Sequence, residues 1–501
     1  MKQFLVIPLG GLGKRFEDQG YKTYKPFLEI SKKSRIIDNI INNFPKSNTH
    51  LIIIGNEKKF KNITLNYKRK NTSFIKINNH KSGPMYSLFL AREKLKEIIK
   101  ENNFFVSYSD INWKWNYKKI KDYISDKKIV IFSHKGFHPH LETDSKSDFF
   151  TCKKNGKVKK VSEKKKINKD YKKNYLAIGC YYFENLKYFE KLFNSKNFRD
   201  TTKKKEVYII NLLSLCLKNK IQINYYNLTK FVHLGIPEQY EDFIRWRNTL
   251  IENFNKSMNL NFSSIMLMAG KGKRVKILKE KKPFLLIKNS KIFEYIFYKY
   301  GSKDKSIITN NDYFKAINRP YSKFKIYKSN SMIETVYKSH DLFKNKKNFF
   351  LLSCDCFGDF QRGKLERFIK QNNPDVILFA FSITKLQKTL SNSHTTIELK
   401  NNSIKSINVK KYIKNKNEFG HAGFFWIKNE NILKDLKNFS FKSKLKREVL
   451  LDDYFKFLFD KKICKVKCFK VDNYVHIGSI KEYQELKYWE NYFYDEDTQY
   501  N

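Results

Sequence analysis

At 501 residues the chain can bury two ordinary cores, because single cores rarely grow beyond roughly 250–300 residues. Apolar residues make up 41% and aromatic residues 16%, which excludes a disordered chain, and no apolar run reaches the roughly 18 residues of a membrane span. The net charge of +52 invites a nucleic-acid reading, but the lysines are scattered through every segment beside abundant Asn, Ile, Phe and Tyr, and no RNA-binding signature or zinc finger accompanies them. Attraction of anionic small substrates is the expectation, and a specific nucleic-acid partner is not.

In chain order, Phe4-Leu5-Val6-Ile7-Pro8 reads as a first buried strand, too soon interrupted for a signal peptide, so a cytoplasmic location is expected. Short apolar β-rich runs such as Leu51–Gly55, Phe104–Asp110 and Ile129–Ser133 alternate with Lys/Glu-rich helical stretches, which implies βαβ units on a mostly parallel sheet. Tyr240–Phe254 reads as an amphipathic helix, and polar Asn255-Lys256-Ser257 then leads into a second series of elements. Seven cysteines, an odd number, fit a reducing compartment; the close pairs Cys354/Cys356 and Cys464/Cys468 lack paired CxxC spacing and read as small strand residues.

Four blocks recur in the same order at an offset of roughly 245–260 residues. Phe4–Phe16, with Gly10-Gly11-Leu12-Gly13-Lys14-Arg15, returns at Ile265–Val275 with Gly270-Lys271-Gly272-Lys273-Arg274. Lys25-Pro26-Phe27 returns as Lys282-Pro283-Phe284, Asn103–Asp110 as Asn348–Asp355, and Val232-His233-Leu234-Gly235 as Val475-His476-Ile477-Gly478. The expectation is a duplication, with one domain over residues 1–257 and a second over 258–501.

A Gly-rich loop straight after an apolar strand lets the backbone approach a phosphate and offer N–H donors, and an Arg adds a bidentate contact. The Lys-Ser/Thr ending of a P-loop is missing, and so is the spacing of a dinucleotide fingerprint. With Lys25-Pro26 about ten residues on and Asp110 at a later strand end, the first copy resembles the sugar-nucleotidyltransferase family, which makes nucleotide sugars from an NTP and a sugar 1-phosphate. The resemblance extends over Ser82-Gly83-Pro84, Val161-Ser162-Glu163-Lys164, Asn174-Tyr175, Gly179–Phe183, Glu206-Val207-Tyr208 and His233–Glu238.

That resemblance implies an α/β fold of two tandem Rossmann-like nucleotidyltransferase domains, each a mostly parallel central sheet flanked by helices. It implies that Gly10, Gly11 and Gly13 wrap the triphosphate, that Arg15 holds the phosphates, and that Lys25 neutralises charge at the α-phosphate. Ser82 and Gly83 would lie near base and ribose. Asp110 would ligate Mg²⁺, and Glu163, Lys164 and Gly179 would line the acceptor site. The family closes its site with a second Asp ligand, and here that place holds His233, and His476 in the second copy. His is a poor Mg²⁺ ligand, so either Asp110 and the substrate phosphates hold the metal or His233 contacts phosphate or packs.

The second copy keeps Gly270, Gly272, Arg274, Lys282, Asp355 and Lys410, with Asp355 as its implied metal ligand, but has Val409 where the first has Glu163. Two readings stay open for it: a second transferase with a different acceptor, or a regulatory copy. For the whole chain, transfer to a non-sugar acceptor such as phosphocholine and a non-catalytic nucleotide-binding module are the alternatives. Capsule, lipopolysaccharide or other surface-glycan supply is the destination the family implies.

Overall fold

The computed structural model describes residues 3–66, 70–141, 147–194, 198, 202, 205–270, 280–302, 304–317, 321–325, 329, 331–383, 394–410, 417–442, 445 and 447–494. Two compact units emerge, Met1–Ile244 and Arg245–Asn501. Each is the expected α/β body: a large sheet with a parallel centre, covered by helices.

In the first unit the strand Gln3–Leu9 lies between Thr49–Asn56 and Phe104–Ser107, parallel to both. Thr72–Ile77 extends the parallel side, and Tyr175–Phe183 joins the other side antiparallel to Phe104–Ser107. Every residue from Leu51 to Asn56 is buried, the signature of a parallel strand covered on both faces. Ile36, Ile37, Ile40 and Ile41 form the buried stripe of the helix Ile36–Asn42. The strand order runs outward in opposite directions from Gln3–Leu9, which opens a crevice at the carboxyl end of that strand. The Gly-rich loop sits there.

The second unit repeats the arrangement with Ser263–Met268 between Lys305–Thr309 and Lys347–Ser353, all parallel. Among the described residues no helix is long and apolar enough to cross a membrane. All seven cysteines are free.

Two element boundaries differ from the sequence reading. The strand expected to run to Asp110 ends at Ser107, so Asp110 lies in the bend before the short strand Ile111–Trp113. Past Ser82-Gly83 the chain forms two helices, Pro84–Leu90 and Arg92–Ile99, because Ala91 closes the first. The helix expected over 240–254 begins at Pro237 and widens into a π-turn over Asn248–Glu252.

Candidate active site

Gly13 closes the loop in the left-handed region at φ 76 and caps the helix Lys14–Glu17, a conformation an L side chain resists. A Cβ on Gly10 would stand 2.2 Å from Ser87 Oγ, so the loop lies directly on the helix Pro84–Leu90. Two residues invisible to motif reading hold this backbone. The fully buried Asn56 amide donates to the carbonyls of Leu9, Gly10 and Gly11 at 3.3–3.4 Å. The Tyr24 hydroxyl donates to Leu9 O at 3.1 Å and to Gly11 O at 2.7 Å. In a trans peptide the C=O and the next N–H point opposite ways, so anchoring those carbonyls turns the N–H groups of Gly11 and Leu12 away from the core. Neither N–H has a backbone acceptor among the described residues. Outward-facing amides of this kind receive an anion.

Tyr24 also ties the loop to the neighbouring turn Lys25–Phe27, where Pro26 pre-sets the geometry and is buried with Phe27. From it Lys25 Nζ reaches Asp110 Oδ2 at 3.0 Å. The strand Phe231–His233 pairs with Ile111–Trp113, and Leu234 N–H donates to Asp110 O at 2.7 Å. A Cβ on Gly235 would lie 3.3 Å from Asp110 Oδ2 and 3.4 Å from His233 Nε2, so carboxylate and imidazole face the same spot. Burial opposes ionisation of Asp110, but the charges of Lys25 and His233 outweigh it and hold the carboxyl below its ordinary value.

Ser82 and Gly83 lie between the loop and the segment Glu206–Tyr208. Val207 N–H donates to Ser82 O at 2.8 Å and Met85 N–H to Val207 O at 3.1 Å. His80, also unsignalled by any motif, accepts from Ser82 N–H through Nδ1 at 3.2 Å and bonds Ser87 Oγ through Nε2 at 2.9 Å. Its burial lowers the imidazole pKa, favouring the neutral form.

Glu163 and Lys164 lie next to that segment. Glu163 Oε2 accepts from Asn211 Nδ2 at 3.0 Å and from Lys205 Nζ at 3.3 Å. Lys164, at φ 48, donates through Nζ to Tyr208 OH at 2.8 Å and Glu206 Oε2 at 3.3 Å. Burial raises the Glu206 carboxyl, yet Tyr208, Lys164 and Arg15 together bring it below its ordinary value. Arg15 is exposed on its short helix. Gly179, at φ 95, sits at a bulge in Tyr175–Phe183 with Tyr108 packed over it. Asn174 is a scaffold residue: its amide bonds the backbone of Ile167, Asn168 and Asp170.

The second unit reproduces part of this set. Asn310 and Tyr313 hold the carbonyls of Ala269 and Gly270 at 3.4 and 3.2 Å, while Gly272 and Arg274 lie outside the described residues. Lys282, on a Lys-Pro-Phe turn of the same kind, pairs with Asp355 Oδ2. Lys410 adopts φ 51, matching Lys164, but Val409 packs against the hydrophobic core where Glu163 faces polar partners.

Asp355 differs from Asp110 in its engagement. Ser353 Oγ donates to Oδ1, while Lys282 and His476 both contact Oδ2, the latter at 3.5 Å. His476 Nδ1 is bonded to Glu482 Oε1 at 2.7 Å. Burial favours neutral His476, but Glu482 and Asp355 overcome it and raise its pKa to about 9, and His476 in turn lowers Glu482 to about 2. In the first unit the residue six past the histidine is Gln239, which bonds the Gly235 N–H as Glu482 bonds that of Gly478, and carries no charge.

This network makes the second unit's stability pH-dependent. His476 contributes fully below its unfolded value of 6.5 and loses that contribution as pH rises toward 9, while Glu482 contributes fully above 4.5 and loses it as pH falls toward 2. Glu482→Gln is expected to destabilise the unit by about 2 kcal/mol between pH 5 and 6.5, with the deficit shrinking by pH 9.5. Thermal unfolding of both proteins at the two pH values checks this; a pH-independent deficit contradicts it.

A strand-end glycine loop with outward amides, a Lys–Asp pair beside it and the polar cluster around Glu163, Lys164 and Glu206 thus make up the candidate site of the first unit. Residues 5–241 match the family model described as nucleotidyl transferase. That match spans the first unit almost end to end and identifies a nucleotidyltransferase domain there. Similar solved structures include the nucleoside-diphosphate-sugar pyrophosphorylase from Vibrio cholerae RC9, at 18% identity and TM-score 0.41 over 48% of this chain and 99% of that one. The inositol-1-phosphate CTP transferase from T. maritima is 17% identical at TM-score 0.37, over 47% of this chain and 98% of that one. A UDP-glucose pyrophosphorylase from Acinetobacter baumannii is 15% identical at TM-score 0.40, over 50% and 94%. No curated protein matches the chain.

Proposed function

We propose that the first domain, residues 1–257, transfers a nucleotidyl group from an NTP to a sugar 1-phosphate or similar phosphorylated acceptor, releasing pyrophosphate. What supports this reading is a lysine–carboxylate pair on each side of the site: Lys25 Nζ lies 3.0 Å from Asp110 Oδ2 beside the loop, and Lys164 Nζ lies 3.3 Å from Glu206 Oε2 in the opposite pocket. Each ammonium can exchange its carboxylate for a phosphate, which suits a reaction between two phosphates.

The outward N–H groups of Gly11 and Leu12 take triphosphate oxygens, Arg15 holds the β- and γ-phosphates, and Lys25 leaves Asp110 to meet the α-phosphate. Lys164 exchanges Glu206 for the acceptor phosphate. An oxygen of that phosphate is already anionic, so no general base is needed. It forms a bond to the α-phosphorus while the bond to the bridging oxygen breaks, and pyrophosphate departs with the electron pair. Catalysis is alignment plus charge neutralisation.

The Asp110 carboxylate together with substrate phosphate oxygens fits Mg²⁺, which is commonly held by one or two carboxylates and phosphates. Bound there, Mg²⁺ supplies positive charge to the triphosphate. Asp355 does not fit: both of its oxygens are bonded within the protein, one of them to an ammonium and an imidazole. The second domain, residues 258–501, is therefore assigned as a duplicated regulatory or nucleotide-binding copy rather than a second catalyst. A cytoplasmic enzyme supplying an NDP-sugar for surface-glycan synthesis is the setting this activity suits.

Pyrophosphate release from each NTP, with hexose 1-phosphates, amino-hexose 1-phosphates and phosphocholine as acceptors, tests the assignment. Arg15→Ala is expected to abolish release and Arg274→Ala to leave it within about twofold. Equal loss in both variants, or no release with any acceptor, contradicts it.

A further inference from the structure

We propose that Asp148 is a specificity-determining residue of the acceptor pocket, its carboxylate receiving a polar hydrogen from a ring hydroxyl or ammonium group of the phosphorylated acceptor. The inference rests on the nucleotidyl-transfer reading of the first unit and names a contact of that same site.

Asp148 immediately precedes the strand Phe149–Cys152, whose two neighbours in the sheet carry the other acceptor-side residues. On one side Phe149 lies opposite Ser162, the residue before Glu163. On the other Phe149 lies opposite Leu176, and Ala177 N–H donates to Asp148 O at 2.9 Å, two residues before Gly179. The side chain thus emerges between Glu163-Lys164 and Gly179. Its Oδ1 accepts from the Lys164 backbone N–H at 3.1 Å, and among the described residues no hydrogen bond reaches Oδ2.

The ammonium groups of this pocket bond carboxylates other than Asp148. Lys164 Nζ is turned to Glu206 and Tyr208, and Lys205 Nζ to Glu163. Burial raises the Asp148 carboxyl to about 6, with the Lys164 N–H and charge opposing and the Glu163 charge reinforcing the rise. A half-buried carboxylate with an open oxygen beside a second carboxylate gains from a donor and gains most from a cation. The second unit differs at this place. There His421 N–H donates to the carbonyl of Thr395 at 2.8 Å, as Ala177 does to Asp148, so a threonine takes the corresponding place.

The test is calorimetric titration of glucose 1-phosphate and glucosamine 1-phosphate into the full chain, wild type, Asp148→Thr and Asp148→Asn, with pyrophosphate release measured on the same proteins. NTP binding serves as the control for folding, and the near-isosteric Asp148→Asn keeps the test alive if the threonine variant misfolds. Both variants are expected to bind NTP normally and to weaken acceptor binding at least about tenfold. In Asp148→Asn, loss confined to glucosamine 1-phosphate assigns the contact to an ammonium, and equal loss for both assigns it to a ring hydroxyl. Acceptor affinity within twofold of wild type in both variants overturns the proposal, as does wild type binding neither sugar phosphate. Weakened acceptor binding by a chain that releases no pyrophosphate would retain the pocket and remove the transfer reading. Unchanged affinity beside normal release would remove Asp148 alone.

Discussion

Asp110→Asn is expected to lower pyrophosphate release at least about a hundredfold while leaving the unit folded, which initial-rate measurements and thermal unfolding check together. The carboxylate has two tasks that the amide cannot perform. It holds the Lys25 ammonium at 3.0 Å in line with the loop, and it stays ionised because Lys25 and His233 outweigh the cost of burial. An asparagine keeps the shape and the Leu234 backbone bond but removes the charge that orients Lys25 and fits a divalent cation. In the second unit Asp355→Asn is expected to behave oppositely, leaving release unchanged and lowering stability, because its carboxylate serves as the hub of the Lys282–His476–Ser353 cluster. Release within threefold of wild type in Asp110→Asn would contradict the assignment.

Gly83→Ala is expected to be the most damaging single methyl in the first unit, destabilising it by about 3 kcal/mol and removing NTP binding. Gly83 stands at φ 86 and ψ 174, an essentially glycine-only region that costs an L side chain about 1–3 kcal/mol. Its Cβ would lie 2.8 Å from both the N and the O of Val207, backbone atoms that cannot yield without breaking the bonds to Ser82 and Met85. Those bonds also place Glu206 and Tyr208, so the substitution displaces both halves of the site. Gly11→Ala is the matched control, since a Cβ there meets nothing within 4 Å and its loss should be confined to ligand approach. Thermal midpoints of the two variants provide the comparison, and equal midpoints would contradict this account.

What could be read from the sequence follows from how locally each feature is encoded. Gly10, Gly13, Arg15 and Lys25 fall within sixteen residues, and their chemistry is set by backbone freedom and charge, so a linear motif exposes them. Asp110 is legible through the apolar run before it, although the strand stops at Ser107 and the carboxylate projects from the bend beyond. Asn56, Tyr24 and His80 give no such signal. Asn56 hydrogen-bonds carbonyls that only the sheet order brings near and looks like any polar residue at the end of an apolar strand, while Tyr24 and His80 bond residues 13 and 7 positions away across turns that no motif encodes. Asp148 is hidden for the same reason: nothing local tells that its strand will lie between those carrying Glu163 and Gly179. The contrast between Asp110 and Asp355 is likewise unreadable from the shared strand-end motif. It turns on Gln239 against Glu482, a helix residue six positions beyond each histidine.

One catalytic centre, in the first unit, is proposed to join a nucleotide to a phosphorylated acceptor. Mass spectrometry of the full chain incubated with the four ribonucleoside triphosphates, Mg²⁺ and the acceptor panel measures it directly. A product with the mass of NTP plus acceptor minus pyrophosphate is expected, formed by wild type and Asp355→Asn and absent with Asp110→Asn. A product that survives Asp110→Asn and disappears with Asp355→Asn, or NTP bound with no product from any acceptor, would contradict it.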